Sequence, residues 1–484
     1  MDIGKLKKGC FYAIIVYVLL VVVFYLVAGE QLRFKYTVTD TITPSQPVGE
    51  IVQGMEIRQP FVAEADELRG LSLEISTYER ENNCHLQIGV VDAKGNLLGQ
   101  TEVAGAEVED NAVRDIYFAE PVPLVQGERY EVVISSPDGG FGNALTVWYG
   151  NTVAAARVEV AKEVAPERRV QLNGQTLTGE LHCQMRLCSY LWFGEYYWYL
   201  AIALGVLLIG YCFYLVRAVK KGRTNIVLRL VAAFQRYGYL LRQLIARDFK
   251  TKYKRSVLGI LWSFLNPLLT MLVQYVVFST LFKSDIPNFA LYLLIGIVCF
   301  NFFSEATTMG LGSIVGNAAL ITKVYVPKYI YPVSRVLSST VNLLLALIPL
   351  LLVMLFTGAA VRPVVLLLPF GLICLLAFSL GITFILATSM VFFRDTQFLW
   401  GVLSMLWMYA TPIFYPESII SESIMPLYKC NPLYHIIRFL RIILIEGVSP
   451  EPKAYGLCLL ASVLPLLLGA VIFKRQQDKF VLNL

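Results

Sequence analysis

Apolar runs of about 20 residues recur along this chain, and their length constrains the fold more than any other feature. A run of that length spans the hydrocarbon core of a bilayer as a helix. Only 16% of the 484 residues are charged, whereas about a quarter are charged in soluble domains. The sequence therefore predicts an α-helical membrane protein with about eight spans. These are residues 11–28, 198–216, 258–281, 289–315, 333–356, 364–391, 398–413 and 455–473.

Residues 31–190 have a different pattern, because apolar and polar residues alternate there with the period of two that half-buried strands show. Turn signals at residues 92–96 and 136–140 separate the alternating segments. The pattern predicts an all-β sandwich, for which a jelly roll is one candidate topology. The alternating sets are Leu71, Leu73 and Ile75; Leu86, Ile88 and Val90; Tyr130, Val132 and Ile134; and Leu145, Val147 and Tyr149.

Clusters of positive charge predict the orientation of the chain. Lys5, Lys7 and Lys8 precede the first apolar run, and residues 217–255 hold about a dozen Lys and Arg against one acid. Basic flanks mark the cytoplasmic side of a membrane. We therefore expect cytoplasmic N- and C-termini and an extracellular or periplasmic β-domain. The first run also resembles a signal peptide, but its length favours an uncleaved anchor.

Five segments follow from these patterns. Residues 1–30 form a transmembrane anchor, residues 31–190 the external β-domain, and residues 191–218 a second transmembrane helix. Residues 219–257 place apolar side chains at helical spacing with arginines between them, which predicts an amphipathic helix in the cytoplasmic interface. Residues 258–484 form a six-span core, in which the proline-rich stretch at about 415–452 is predicted to re-enter the outer leaflet.

Several kinds of chemistry are excluded by missing motifs. The sequence contains no GxxxxGK[ST], HExxH, GxSxG or CxxC pattern. We therefore expect no catalytic site, no ATP hydrolysis and no metal site, and the scattered His85, His182 and His435 agree. The net charge is +6, and the basic residues cluster beside apolar runs. This clustering argues against nucleic acid as a partner. Pairing among Cys84, Cys183 and Cys188 is left open.

Four motifs, in order, carry a resemblance to a known family. They are Ser-x-Leu-Gly-x-x-Trp-x-x-x-Asn-Pro at residues 256–267, Asn-x-x-Leu-Ile-x-Lys at 317–323, Phe-Arg-Asp at 393–395, and Thr-Pro-Ile-Phe-Tyr-Pro at 411–416. Residues 225–484 thereby resemble the permease subunit of type-2 ABC exporters for polysaccharide, O-antigen or teichoic acid. The external β-domain is an addition to the usual pattern of that family.

The resemblance implies a six-helix core that forms a pore with a second copy of the chain. Two cytoplasmic ABC ATPase subunits would bind ATP and Mg and drive transport, so no cofactor is expected in this chain. The cargo would be a lipid-pyrophosphate-linked glycan, which is exported across the cell membrane of a prokaryote. Membrane lipids would be further partners of the chain. The alternatives are a permease for a drug or lipid, and a membrane-anchored glycan-binding scaffold.

Two groups of candidate residues concern the cargo. Arg247, Lys250, Lys252, Lys254 and Arg255 would form a substrate entrance by meeting the pyrophosphate, with anchoring to anionic lipid as the alternative. Aromatic rings stack on sugars without fixed hydrogen bonds, so aromatic side chains of the core spans could line a channel for the glycan. The alternative is that these side chains contact lipid. The candidates for lining the channel are Trp262, Phe264, Tyr275, Phe302, Phe303, Trp407 and Tyr409.

The remaining candidates concern partners and the external domain. By the resemblance, the residues that contact the ATPase would be Asn317, Leu320, Ile321, Lys323, Arg394 and Asp395. In the β-domain, Tyr78, Arg80, Asn82 and Trp148 are predicted to contact the emerging glycan, with Trp148 and Thr146 facing outward; a spacer role is the alternative. Glu305 lies within an apolar span, where an acid is costly, and a helix–helix hydrogen bond is favoured over proton coupling.

Overall fold

The computed structural model describes residues 3–39, 42–155, 158–161, 168–223, 225–254, 258–282, 288–323, 326–359, 361–421 and 423–483. The chain divides into a helical unit, Met1–Gln31 with Trp198–Leu484, and a β-unit, Leu32–Tyr197. The helices are α1 Ile3–Arg33, α2 Trp192–Glu195, α3 Tyr197–Lys220, α4 Ile226–Tyr253, α5 Leu261–Phe282, α6 Phe289–Leu311, α7 Ala318–Lys323, α8 Ile330–Phe356, α9 Leu368–Phe392, α10 Thr396–Tyr409, α11 Met425–Lys429, α12 Pro432–Arg441, α13 Pro452–Gln476 and α14 Phe480–Asn483.

Seven helices within the described ranges are long and apolar enough to cross a membrane, namely α1, α3, α5, α6, α8, α9 and α13. The predicted span at residues 398–413 instead forms α10, which has 14 residues. At 1.5 Å per residue that helix is about 21 Å long, short of the roughly 30 Å hydrocarbon core. The prediction of eight full spans is therefore corrected to seven and one shorter helix, which ends just before Pro412 and Pro416.

Helices α9 and α13 pack with their backbones in direct contact. A Cβ atom placed on Gly469 would lie 2.2 Å from the carbonyl oxygen of Gly381, and one placed on Gly381 would lie 2.5 Å from that of Pro465. Any side chain at either glycine would force the two helices apart. Small residues of this kind are the usual means by which membrane helices approach closely.

The amphipathic stretch forms α4, Ile226–Tyr253, and the C-terminal half of this helix packs on α8. Between α10 and α13, the described residues form no helix long enough to cross a membrane. They form α11, α12 and a turn of π-helix at Ile442–Glu446. A side chain binds polar backbone in this segment. Asn431 accepts a hydrogen bond from the backbone N–H of Leu433 and thereby caps α12.

The β-unit contains three antiparallel sheets within the described residues. Their orders are β1-β16-β5-β10-β15, with β3 and β8 added at its side; β12-β11-β2; and β14-β13-β4-β9-β6-β7. The strands are β1 Phe34–Val38, β2 Ile42–Thr43, β3 Gln46–Pro47, β4 Glu56–Val62, β5 Glu67–Ser76, β6 His85–Asp92, β7 Leu97–Ala104, β8 Ala112–Pro123, β9 Arg129–Ser135, β10 Thr146–Gly150, β11 Thr152–Ala155, β12 Val158–Ala161, β13 Gln171–Leu172, β14 Gln175–Thr176, β15 Glu180–Leu181 and β16 Cys183–Tyr190.

The core of the β-unit lies between the two larger sheets and confirms the predicted sandwich. Leu71 and Leu73 of β5 and Ile88 of β6 are fully buried, as are Val132 and Ile134 of β9. Each such side chain contributes about 1.5–3 kcal/mol relative to an exposed one. The alternation read from the sequence is therefore the alternation of core-facing positions.

Turn chemistry between β6 and β7 also follows the prediction. The Asp92 carboxylate accepts from the backbone N–H groups of Lys94 and Asn96, each at 2.8 Å. Gly95 has a φ of +85°, which favours glycine. These bonds hold the pKa of Asp92 below its usual value, with the Asn96 side chain as the largest cause.

Candidate functional site

The end of α4 is fixed to α8 by a buried carboxylate. Asp248 has a side chain only 3% exposed, and it forms ion pairs of 2.9 Å with both Arg247 and Arg335. Asp248 was the lone acid in the basic segment, and Arg335 lies near the start of α8. A carboxylate buried to this extent requires such partners, so this ion-pair triad orients the last two turns of α4.

A cavity of about 980 Å³ lies where α4 meets α5, and we call it the cationic cavity. Arg247, Lys250 and Lys254 line it, while the acidic side chains of the described residues do not. Neither Lys250 nor Lys254 has an ionic partner in the described part of the chain. The other lining residues are mainly apolar, among them Leu258, Ile260, Leu261, Phe264, Leu345 and Ile348. The predicted Arg255 lies outside the described residues.

Lys252 faces away from these lysines and joins a network with α6 and α8. Its ammonium donates to Glu305 Oε1 at 2.8 Å, and Asn342 Nδ2 donates to the same oxygen at 2.7 Å. The Tyr253 hydroxyl donates in turn to Asn342 Oδ1 at 2.9 Å. Glu305 is therefore a helix–helix acceptor, the interpretation that the sequence favoured. Of the predicted entrance residues, the structure groups Arg247, Lys250 and Lys254 and separates Lys252 from them.

A second cavity of about 290 Å³ lies among α4, α5, α6 and α8, and we call it the amide cavity. Three carboxamides line it, from Asn266, Asn301 and Asn342. Lys252, Glu305 and Ser339 also line it, together with the rings of Trp262 and Phe302. Tyr253 and Ser263 line both cavities, so the two adjoin. Polar residues inside apolar spans mark functional positions. This signal was available in the sequence for the three asparagines as well as for Glu305.

The seven aromatic candidates occupy different environments. Phe303 is fully buried and stacks on Phe378 at a centroid distance of 5.2 Å, so the prediction that it lines a channel is wrong. Trp407 packs on both rings and donates from Nε1 to Asn431 at 2.9 Å. The exposed candidates are Trp262, Tyr275 and Tyr409, whereas Phe264 is half-buried in the cationic cavity and Phe302 is buried against the amide cavity.

Residues assigned to ATPase contact meet at one end of the helical unit. Leu320 and Ile321 of the 317–323 segment share a core with Val391 at the end of α9. Lys323, Arg394 and Asp395 are exposed beside that core. Asn317 is buried and donates from Nδ2 to the carbonyl of Ser313 at 2.7 Å, so it shapes the turn before α7. The three exposed charges are thus the ones available to a partner.

A buried arginine at the other end of α6 was not anticipated. Arg441 of α12 has a guanidinium 3.3 Å from the ring centroid of Tyr292 and donates to the carbonyls of Pro412 and Ile413. The resulting bonds hold the irregular segment after α10 against α6. Arginine, with five donors in a fixed fork, suits the binding of several carbonyls at once.

In the β-unit, one short turn connects the predicted glycan-contact residues. Asp110 accepts from the Ser76 hydroxyl at 2.7 Å, and Ser76 precedes the loop that carries Tyr78 and Arg80. This hydroxyl is the largest cause that lowers the pKa of Asp110. The neighbouring Asn111 accepts from Trp148 Nε1 at 3.2 Å. Tyr78, Arg80 and Trp148 therefore share one edge of the sandwich.

Two further residues of that strand and loop differ from the expectation. Asn82 is 1% exposed and donates to the carbonyl of Thr77 at 3.0 Å, so it stabilises the loop from inside. Thr146 is fully buried and accepts from the backbone N–H of Gly49. Burial contradicts the predicted glycan contact of Asn82 and the predicted outward orientation of Thr146. Thr146 is covered because β10 pairs with both β5 and β3.

Comparison with known proteins supplies the family. Residues 239–445 match the ABC-2 type transporter family. The chain is 34% identical over 257 residues to the O-antigen export system permease protein RfbA of Myxococcus xanthus, covering 98% of that protein and 52% of this chain. This chain belongs to the ABC-2 type transporter family. The chain is an ABC-2 type permease subunit.

Two further relatives agree. The permease is 32% identical to the O-antigen export system permease protein RfbA of Klebsiella pneumoniae, over 95% of that protein and 50% of this chain. It is 21% identical to the polysialic acid transport protein KpsM of Escherichia coli, over 97% of that protein and 51% of this chain. The chain is therefore a multi-pass protein of a prokaryotic membrane. The family match includes residues from both cavities.

Proposed function

We propose that this ABC-2 type permease is the pore-forming subunit of an ATP-driven exporter, and that its cargo is a polysaccharide on a lipid pyrophosphate. It acts as a homodimer with two cytoplasmic ABC ATPase subunits, which bind ATP and Mg. The cargo moves from the cytoplasmic to the outer side of the membrane. Relatives named for O-antigen export and polysialic acid transport, matched over nearly their full length, support the class of cargo.

The composition of the cationic cavity is the observation that carries this proposal. Lys250 and Lys254 present two ammonium groups without carboxylate partners in the described chain, beside a wall of Leu258, Ile260 and Leu261. Charge-assisted hydrogen bonds from such cations suit a pyrophosphate. The apolar wall suits the lipid chain attached to it. A cavity with both halves fits an amphiphilic anion better than a free sugar or a neutral drug.

Exposed apolar helix faces support the homodimer. On α5, Leu269, Leu272 and Val273 are at least 50% exposed, and on α10 Phe398 and Val402 are more exposed still. A hydrophilic polymer needs a path wider than one bundle of this size, and a second copy that packs through these faces would complete it. Contact with lipid alone is the alternative, because apolar faces of single membrane helices are also satisfied there.

The proposal is tested by measuring transport by the reconstituted complex. The permease is co-purified with its ATPase, placed in proteoliposomes and supplied with the lipid-linked glycan on the ATPase side. Replacing Lys250 and Lys254 together by Gln is expected to lower transport at least tenfold. Lys221→Gln, an exposed lysine outside both cavities, is the matched control. Full transport by the double variant would reduce the lysines to membrane anchors.

A permease for lipids without glycan is the second candidate, and the same cavity favours it. The apolar wall and the free lysines would also accept a simple lipid phosphate. The two are separated by measuring transport in the same proteoliposomes with lipid-linked glycan or with the sugar-free lipid phosphate. The proposed function predicts transport of the glycan-bearing lipid, and transport of the sugar-free lipid alone would overturn it.

A further inference from the structure

Two carboxamides in the amide cavity have no hydrogen-bond partner among the residues that the structure describes. Asn301 lies near the middle of α6 and Asn266 near the start of α5, and both side chains are exposed. Within the residues that the structure describes, neither side-chain amide makes a hydrogen bond. An unpaired amide facing hydrocarbon costs several kcal/mol. The space that these two groups share must therefore hold water or a ligand with hydroxyl groups.

The charge of the amide cavity selects against an anionic ligand. Lys252 and Glu305 are its charged lining residues among those described, and they neutralise each other at 2.8 Å. The adjoining cationic cavity, in contrast, has only basic charged residues in its described lining. A phosphate would therefore be bound in the cationic cavity. A neutral molecule with many donors and acceptors would be bound by the carboxamides, each of which offers both.

The volume of the amide cavity and the ring of Trp262 restrict further which ligand the cavity can bind. A volume of about 290 Å³ lies at the lower end of ligand pockets, which run from roughly 300 to 1,000 Å³. The cavity therefore holds one sugar ring rather than a stretch of polymer. Trp262 is 45% exposed and lines the same space, so its face is available for stacking on the apolar side of a pyranose.

We propose that the amide cavity is a subsite for the sugar attached directly to the pyrophosphate, with Asn266, Asn301 and Trp262 as its specificity-determining contacts. This inference rests on the proposed function, because the cationic cavity must first hold the pyrophosphate. Tyr253 and Ser263 form the shared wall, so a pyrophosphate beside Lys254 would present its first sugar to the carboxamides. The permease would then test the first sugar of its cargo at the start of transport.

Binding of two matched probes tests the subsite. The full-length permease in lipid nanodiscs is titrated with a short-chain polyprenyl pyrophosphate, and with the same compound bearing one hexose or one N-acetylhexosamine. The expected result is tighter binding of at least one sugar-bearing probe. Asn301→Leu and Asn266→Leu should each weaken binding of the sugar-bearing probe about 3- to 10-fold, which is the value of one lost hydrogen bond. Binding of the sugar-free probe should not change.

Control variants make the outcomes distinct. Gln274→Leu makes the same amide-to-apolar change on α5 but lines neither cavity, and it should leave both affinities unchanged. If neither the sugar-free probe nor a sugar-bearing probe binds, the proposed function fails. If that probe binds but no sugar improves its affinity, or if the asparagine variants keep the full gain, the subsite is overturned while the proposed function stands.

Discussion

Lys252 on α4 donates a hydrogen bond of 2.8 Å to Glu305 on α6, across 53 positions of sequence. The same carboxylate oxygen accepts from Asn342 of α8 at 2.7 Å. One acid thus joins the amphipathic helix to two core helices. Lys252 and Glu305 both line the amide cavity, so this junction ties the end of the amphipathic helix to the wall of that cavity.

Loss of the acceptor at Glu305 should destabilise the permease more than loss of Lys252. The side chains are 27% and 40% exposed, respectively, so the ion pair itself contributes about 0–1 kcal/mol. Glu305→Leu also strands the amide of Asn342, at about 1–3 kcal/mol. We expect the melting temperature in nanodiscs to fall further for Glu305→Leu than for Lys252→Met, with Glu305→Gln close to wild type. The reverse order would contradict the role of Glu305 as a shared acceptor.

The Asp248–Arg335 pair should show strong coupling. Among the described residues, Arg335→Leu leaves the buried Asp248 carboxylate with Arg247 as its ionic partner, and the Arg247 side chain is 48% exposed. Breaking a buried pair costs about 3–5 kcal/mol, whereas replacing both partners by apolar residues costs much less. The double variant Asp248→Leu with Arg335→Leu should therefore melt at a higher temperature than Arg335→Leu alone. A double variant that is less stable than the single one would show that the pair is not the source of the loss.

Cysteine labelling can determine the orientation of the chain. Cys430, after α11, is exposed, whereas Cys84, Cys183 and Cys188 of the β-unit are buried. Burial also raises the pKa of the Cys183 thiol to about 12, and a protonated thiol reacts slowly. The predicted topology places Cys430 outside, so a membrane-impermeant maleimide should label intact cells. Cys430→Ser should abolish that labelling. Labelling confined to inside-out vesicles would reverse the predicted orientation.

Trp148 should contribute to glycan binding by the β-unit. Its Nε1 is held by Asn111 at 3.2 Å, and Arg80 lies over the Tyr78 ring nearby at 5.1 Å. The full-length permease is titrated with the surface polysaccharide of its source organism. Trp148→Ala should weaken binding about 3- to 10-fold, the value of one stacked ring. Tyr117→Ala, an exposed aromatic on β8, serves as control. Equal affinities for wild type and Trp148→Ala would remove Trp148 from the site.

The His85–Asp138 pair should make the stability of the β-unit depend on pH. Hydrogen bonding to Asp138 raises the pKa of His85, and bonds from the His85 backbone and ring lower the pKa of Asp138. The histidine's contribution is complete below its unfolded pKa of about 6.5 and is lost as pH rises through the folded value. The aspartate's contribution is present above about 3.9 and is lost as pH falls.

Asp138→Asn should therefore lower the melting temperature of the β-unit most at about pH 5–6, between the two unfolded values. The difference from wild type should shrink as pH rises through the raised pKa of His85, because the histidine then loses its charge. Fluorescence of the β-unit's tryptophans follows the transition. His85→Gln should show the same pH dependence relative to wild type. A difference that grows steadily from pH 5 to pH 8 would contradict the assignment.

The spacing of apolar residues in the sequence was sufficient to predict the main helices and strands of both units. Apolar runs identified the long helices, and the alternation at Leu71–Leu73–Ile75 identified β5, because burial on one face repeats every two residues in a strand. The basic stretch likewise identified α4. Such patterns depend on near neighbours in the chain, so they survive without any knowledge of the fold. The length of α10 was overestimated because apolar composition continues past its end, while Pro412 and Pro416 stop the helix.

Only the tertiary structure determined which polar side chains meet. Asn266, Asn301 and Asn342 come from three helices, and each alone could have faced lipid, a neighbour or a channel. The separation of Lys252 from Lys250 and Lys254 depends on the rotation of α4 against α8, which the Asp248–Arg335 pair sets. Helical spacing specifies the face on which a residue lies. The partner of that face depends on how helices distant in sequence pack, and local periodicity carries no information about that packing.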